Sequence, residues 1–562
     1  ARYSCAVSIR RAGWRSRPAA PRPSPAPALA PASSTASSPA GGARAAECYA
    51  AARRFLEAGR QHDSLALLLR AQRLAALEPG SEAICQAAGQ AVDTAYLRQP
   101  GLVPVLARRG GSLLLREPPG PGMRHPALRA DGSTSGAAAP APVHTTAVAG
   151  HRRYEPWLVG GEVPRVDCGT PEGFQLALDG YIARHVPVVL ENLGVMPAVS
   201  KWSVDYLQGH TNDWPGMNVL RSGGSENRYL YYVPEQSDRD MSAFQGAPRQ
   251  ASSDLRMSFE GFLRAAKEDP ASHYYLQAPL VLREADEQGH ISETWSRGID
   301  TVLHNDCDRD LNRERLGRIE AAGQFGLWSR SQLFVGPTES LSPVHYDQYD
   351  NIFLQVAGEK HFILFDPRAA EGLYPFPASH PYDEYAMVDL ERIDDRAFPR
   401  ARELLTGRGA TVTLRAGEAM YIPTHWWHHV QGGARRGDWC ISVNFWYTIQ
   451  RAMLEAPHPL PLHWELELAR HAEFLLSDAC GSAAVGHLAK LLRADADGED
   501  SGRSDVVSLP TRNFLLYCLA RRLGAENVQA FVHEHFAAER FERQTVLSAL
   551  TAGPTRGKRE KA

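Results

Sequence analysis

The sequence predicts a mainly β core flanked by helices, with a helical N-terminal arm before it and a helical tail after it. Three observations carry this. Between residues 151 and 450, short apolar runs at 186–190, 229–232, 333–335, 352–356, 361–365 and 440–447 are separated by turn residues, a texture of packed antiparallel strands rather than of alternating strands and helices. On either side the apolar residues recur at helical spacing: Phe55, Leu56, Leu65, Leu68, Leu69, Leu74 and Leu77 before the core, and Leu462, Trp464, Leu466, Leu468, Phe474, Leu475, Leu476, Leu488, Leu491 and Leu492 after it. The stretches joining these regions are rich in Pro, Gly and Ala, or acidic.

Taken in order, residues 1–46 hold Arg, Ala, Pro and Ser with no acidic residue before Glu47, and cannot form a packed core. A disordered tail and an organellar transit peptide share that composition, which leaves the choice open. Residues 47–107 read as a helical hairpin region punctuated at Pro79-Gly80, serving either as a partner-binding module or as an appendage. Residues 108–150 form a linker, 151–450 the β core, 451–493 a helical region, 494–505 an acidic linker, and 506–562 a tail with helix expected over 511–551.

The chain has 562 residues, 43% of them hydrophobic, enough for one large core and accessory segments. Lys and Arg number 61 against 64 Asp and Glu, a net charge of -3, so nothing draws the whole protein toward nucleic acid or anionic lipid. The eight cysteines, Cys5, Cys48, Cys85, Cys168, Cys307, Cys440, Cys480 and Cys518, are scattered without a C-x-x-C pair. That pattern fits a reducing compartment, the cytoplasm or nucleus, and argues against a zinc finger. No apolar run approaches the roughly 20 residues that span a bilayer.

The chemistry concentrates in two segments. In Ser342-Pro-Val-His345-Tyr-Asp347 the His and Asp stand two apart at a strand edge, where alternation points both to one face. A second His would complete a facial triad that leaves three positions open on iron(II). Tyr421-Ile-Pro-Thr-His425-Trp-Trp-His428-His429 supplies three candidates, and spacing alone does not choose among them. Lys360, at the head of the apolar run ending at Phe365, would suit the far carboxylate of a dicarboxylate ligand as a point charge, although a Lys after a Gly358-Glu359 turn is ordinarily solvated.

These segments resemble the JmjC-type protein hydroxylases. The resemblance runs through His345-Tyr-Asp347-x-x-x-Asn351, Gly358-x-Lys360, Leu373-Tyr-Pro-x-Pro377, His380-Pro381, Asp389, Tyr421-Ile-Pro423, Trp426-Trp-His428-His429 and Val443-Asn-Phe-Trp-Tyr447. It extends over roughly 160–493 through Lys201-Trp202, Tyr206-Leu207, Tyr231-Tyr232 and Tyr274-Tyr-Leu-Gln277. The nearest likeness is to the asparaginyl hydroxylase known as factor inhibiting hypoxia-inducible factor. The resemblance implies a double-stranded β-helix, the JmjC/cupin jelly roll, with His345, Asp347 and His428 as ligands of Fe(II). It implies 2-oxoglutarate and O2 as co-substrates and ascorbate as reductant. Lys360, Tyr275 and Ser342 would take the distal carboxylate, Asn351 and Asn444 the keto-acid end, and Trp446 would belong to the pocket wall. The implied reaction hydroxylates a protein side chain at its β-carbon and releases succinate and CO2.

On substrate the sequence departs from the pattern. The family's Arg-Gln pair falls here at Glu384-Tyr385, an anion in place of a cation, while Gln277 keeps a substrate-contacting amide. The expectation is a polypeptide substrate, of ankyrin-repeat type by resemblance, with its target residue undetermined. Helices over 461–493 correspond to the pair through which the family dimerises, so a homodimer is expected, with capping of the barrel as the alternative. The rival functions are a JmjC lysine or arginine demethylase, a tRNA-base hydroxylase, and a non-catalytic scaffold. No histone-reading module is visible, the charge balance weighs against RNA, and the intact ligand set weighs against the scaffold.

Overall fold

The computed structural model describes residues 43–99, 152–211, 216–222, 227–230, 252–285, 290–337, 339–378, 380–433, 439–448, 460–481, 484–496, 509–537 and 540. The chain divides into two compact units at Arg98. In the first, three helices, Ala43–Glu57, Gln61–Leu77 and Glu82–Arg98, bury Leu65, Leu68, Leu69, Ala71, Ala88 and Val92. The hairpin expected there is thus a three-helix unit, its second turn made at Gly80 with φ of 82°. Leu56 and Leu77, placed by helical spacing, are exposed at 45% and 51%.

The second unit holds two sheets. Numbered along the chain, the strands are β1 (Val159–Glu162), β2 (Arg165–Asp167), β3 (Val188–Glu191), β4 (Met217–Ser222), β5 (Ser252–Met257), β6 (Tyr274–Ala285), β7 (Ile291–Trp295), β8 (Trp328–Pro337), β9 (Leu341–His345), β10 (Tyr349–Ala357), β11 (Glu359–Phe365), β12 (Gly409–Arg415), β13 (Ala419–Ile422), β14 (Trp427–Gly432) and β15 (Trp439–Thr448). The smaller sheet runs β1-β12-β11-β14-β9, and the larger β2-β3-β13-β10-β15-β8-β6-β4-β5, with β7 on β6. The expected strand at 229–232 reduces to an isolated bridge between Arg228 and Leu341; Tyr231 and Tyr232 lie outside the described residues.

The sheets pack face to face. Phe353, Met420 and Ile422 from the larger meet Phe362, Leu364, Val412 and Leu414 from the smaller, the alternate residues of each strand, as a two-layer β core requires. The far face of the larger sheet is covered by helices Pro171–Gly180, Phe259–Glu268 and Arg313–Gly323. Each starts where a side chain caps a free backbone N–H: Thr170 accepts from Gly173, Ser258 from Gly261 and Asn312 from Arg315. Residues 366–405, between β11 and β12, cover the far face of the smaller sheet with Tyr374, Phe376, Phe398 and Leu405 against Ile363 and Phe365.

After the core come helices Leu462–Cys480, Val485–Ala496, Leu509–Leu523 and Val528–His535. The helix expected over 511–551 is broken at Gly524, φ 85°, and 541–551 lie outside the described residues, as do 497–505 of the acidic linker. Trp464, Leu468, Leu475, Leu476, Leu488 and Leu492 are buried within the single chain, where the helices pack on one another. Of the other apolar residues that suggested a dimer, Leu462, Leu466, Phe474 and Leu491 are partly exposed. No helix among the described residues is long and apolar enough to cross a membrane.

Candidate metal centre

β9 ends at His345, and on its neighbour β14 His428 stands directly opposite in antiparallel register. Pairing thus brings together imidazoles far apart in sequence, their ring centroids 4.2 Å apart. Asp347 does not share a strand face with His345 as alternation suggested; it lies in the turn before β10. That turn carries its Oδ2 to 3.8 Å from His428 Nε2, and one ligand atom from each of the three residues lies within 4.8 Å of the others.

Hydrogen bonds show that the trio fits a cation. His345 Nδ1 is 2.7 Å from the Pro343 carbonyl and His428 Nδ1 is 2.9 Å from that of Trp426. A carbonyl only accepts, so each Nδ1 donates and each Nε2 keeps its lone pair for a metal. Burial holds both imidazoles down at about 4, and they are neutral at physiological pH. Burial also raises the Asp347 carboxyl, with His345 and Arg330 opposing; a divalent cation would keep it ionised. Two imidazoles and a carboxylate on one face are the donor set of non-haem Fe(II) oxygenases.

The other two histidine candidates go elsewhere. His429 alternates to the opposite face of β14 and its Nε2 lies 2.9 Å from the Arg153 carbonyl. His425 sits in the preceding turn, its Nε2 2.8 Å from Glu467 Oε1.

The ligands open into a pocket between the sheets, walled by Phe334, Phe353, Phe362, Ile422 and Val430 and made polar by Tyr275, Ser342, Asn351, Lys360 and Asn444. Lys360 is 3% exposed. Its Nζ donates to Ser442 Oγ at 3.0 Å and Tyr275 Oη at 3.2 Å and lies 4.9 Å from the Phe353 ring centroid. No carboxylate pairs with it among the described residues, and burial lowers it to about 8. A cation buried this way calls for an anion. Asn351 Oδ1 and Asn444 Oδ1, from two residues of the pocket lining, are buried with no hydrogen-bond partner among the described residues.

The proposed substrate residues are more dispersed. Gln277 follows Tyr275 on the same face of β6, and Trp446 follows Asn444 on that of β15, both buried but outside the pocket lining. Tyr385 bridges to His345, the rings 5.3 Å apart. Glu384 accepts a hydrogen bond from Gln348, one residue past Asp347. Ser442 escaped sequence reasoning, although strand alternation from Asn444 gave its face; Glu467 and Arg470 were not singled out by it either.

The family model for the cupin-like domain matches residues 175–453. Lysine-specific demethylase 8 of Xenopus tropicalis is 25% identical over 287 residues, 51% of this chain and 53% of that protein. The human bifunctional peptidase and (3S)-lysyl hydroxylase JMJD7 is 32% identical over 154 residues, 24% of this chain and 45% of its own. Lysine-specific demethylase JMJ30 of Arabidopsis thaliana is 35% identical over 113 residues, 20% and 24% respectively. The chain thus spans between about a quarter and about half of the length of these relatives. The JmjC family uses Fe(II) and 2-oxoglutarate, in keeping with the His-Asp-His cluster. With the β core and the ligand set in agreement, residues 175–453 match a cupin-like domain and are similar to these JmjC-type relatives.

Proposed function

We propose that this chain is an Fe(II)- and 2-oxoglutarate-dependent dioxygenase that oxidises a C–H bond of a protein side chain. The observation that carries this is the conjunction, in one pocket, of the His345–Asp347–His428 cluster with a buried Lys360 that has no carboxylate partner among the described residues. Loaded with iron, 2-oxoglutarate and O2, such a centre supplies the oxidising power to convert substrate C–H to C–OH, releasing succinate and CO2. The protein's part is positional. Lys360, Tyr275 and Ser342 would hold the distal carboxylate, the two Asn amides the keto-acid end, and the Phe and Ile walls would exclude bulk water.

The relatives named above act, by their names, on lysine, which supports a basic side chain over asparagine as the target. Glu384 supports the same reading. It is half-buried beside the metal loop, has no ion-pair partner among the described residues, and is held at φ 75° in the left-handed region, a strain that concentrates at functional sites. Burial, then Asp383 beside it, pushes its carboxyl up to about 8, so an arriving cation would be needed to ionise it. Hydroxylation and demethylation share the first chemical step: hydroxyl added to a chain carbon stays, whereas on an N-methyl carbon it departs as formaldehyde.

Incubation with peptides bearing Lys, methylated Lys or Asn, read by succinate, peptide mass and formaldehyde, tests the proposal. Turnover that no peptide stimulates would count against a protein substrate. Glu384→Gln is expected to lower kcat/KM for the basic peptide ~10-fold or more, as loss of one partner of a partly buried charge pair does, while sparing a neutral one. Equal effects on both would remove Glu384 from substrate selection.

A further inference from the structure

We infer that helix Leu462–Cys480, which lies beyond the matched domain, is a built-in support of the metal centre, with Glu467 and Arg470 as positioning residues. The domain match ends at 453, yet one face of this helix inserts charged side chains into the body that carries the ligands. Glu467 and Arg470, three apart and so on the same face, are 5% and 6% exposed.

Each is tied to a ligand-bearing segment. Arg470 forks onto Asp383, Nη1 to Oδ1 and Nη2 to Oδ2 both at 2.7 Å, and Nη1 also donates to Tyr346 Oη. Tyr346 lies between the ligands His345 and Asp347, and its backbone N–H donates to the Glu384 carbonyl at 3.0 Å. Glu467 Oε1 lies 2.8 Å from His425 Nε2. The His425 backbone N–H donates to the Asp347 carbonyl at 2.9 Å, and its ring packs on Tyr346 with centroids 5.1 Å apart. The helix therefore reaches, through the buried Arg470–Asp383 ion pair and the close Glu467–His425 contact, the segment bearing two ligands and the turn that launches the strand of the third.

Backbone conformation explains why a grip is needed. His425 and Glu384, in the two turns beside the ligands, are non-glycine residues at φ 63° and 75°. Left-handed backbone at such residues persists only where the surroundings over-determine it. Here Glu467 holds the first turn and Arg470, through Asp383, the second.

The inference rests on the metal-centre reading, and the test separates the two. Co(II) would be titrated into the metal-free full-length chain, following visible absorption and, in parallel, thermal unfolding. The proteins compared are wild type, His345→Ala, Glu467→Gln, the charge-neutral pair Asp383→Asn/Arg470→Met, and Arg165→Met. The last breaks the Arg165–Glu191/Glu418 ion pairs of the same unit and controls for general destabilisation. Glu467→Gln and the double variant are expected to raise the Co(II) Kd ~10-fold or more, the scale for residues that orient ligands, and to alter the absorption envelope. Arg165→Met should shift unfolding alone. Should the double variant not fold, the isosteric Glu467→Gln decides. Wild-type Kd and spectrum in Glu467→Gln would overturn the support role; wild-type protein that binds no Co(II), or His345→Ala that binds it equally, would overturn the metal centre itself.

Discussion

His345→Ala and Asp347→Asn proteins are expected to fold but to form no succinate above background, with iron content falling toward zero. The expectation follows from the ligand count. Three donors leave three open positions, and a variant with two protein donors lacks the face on which co-substrate and O2 would be arranged, so a loss of at least ~10³-fold in kcat/KM is expected, about 4 kcal/mol of transition-state stabilisation. Stability moves differently. Burial raises the Asp347 carboxyl above its ordinary range, so the metal-free fold favours its protonated form. That contribution is present below the unfolded pKa and lost as pH rises through the folded value, making the ionised carboxylate a burden at pH 7. Asp347→Asn should therefore unfold no lower than wild type without metal, while losing the stabilisation that added Fe(II) or Mn(II) gives wild type. Thermal unfolding with and without metal, beside succinate measured by NMR, checks both halves. Wild-type turnover in either variant would disprove the centre.

What was legible in the sequence was whatever local pattern could encode. Short apolar runs bounded by turn residues gave β10 and β11, and the Gly358 turn, φ 70°, put Lys360 near the head of β11 as read. The choice among His425, His428 and His429 was not local. It depends on β14 pairing with β9 so that His428 falls opposite His345, while alternation turns His429 outward. Asp347 misled for the opposite reason: its spacing resembled a strand, but the strand stops at His345 and the side chain arrives through a turn. Ser442 was concealed because its partner Lys360 sits 82 residues away on the facing sheet.

Arg470 shows the same limit at greater cost to interpretation. Along its helix it looks like a charge on the solvent face, and the pattern of leucines implied only an apolar seam. Its partner Asp383 lies 87 residues earlier, in the excursion between β11 and β12, and no periodicity predicts that a guanidinium will be buried there. The chemistry sets a condition once the structure places it: an Arg can be buried when a bidentate carboxylate satisfies its fork. The Arg470–Asp383 pair is thus a buried contact within one chain that the apolar pattern of these helices did not reveal.

Lys360→Met is expected to raise the 2-oxoglutarate Kd by ~10²–10³-fold without destabilising the metal-free protein. The magnitude follows from removing one partner of a buried charge pair, about 3–5 kcal/mol, at about 1.4 kcal/mol per factor of ten. The stability half follows from the same burial. In the ligand-free protein Lys360 has two hydroxyls and aromatic faces but no anion among the described residues, so a methionine of similar volume removes a desolvated cation and keeps the packing. Burial lowers this lysine to about 8, which fixes the pH dependence. Its folded value is depressed, so the charged form is disfavoured in the free protein and the proton leaves above about pH 8. An anionic ligand needs the charged form, so binding above that pH takes up a proton and affinity should fall about tenfold per pH unit, whereas the Met variant should be flat over the same range. Calorimetric titration of 2-oxoglutarate at pH 7, 8 and 9, with unfolding temperatures of the free proteins, reads both. A variant that binds 2-oxoglutarate like wild type, or that unfolds several degrees lower, would mean that Lys360 belongs to the fold and that the co-substrate's far carboxylate is held elsewhere.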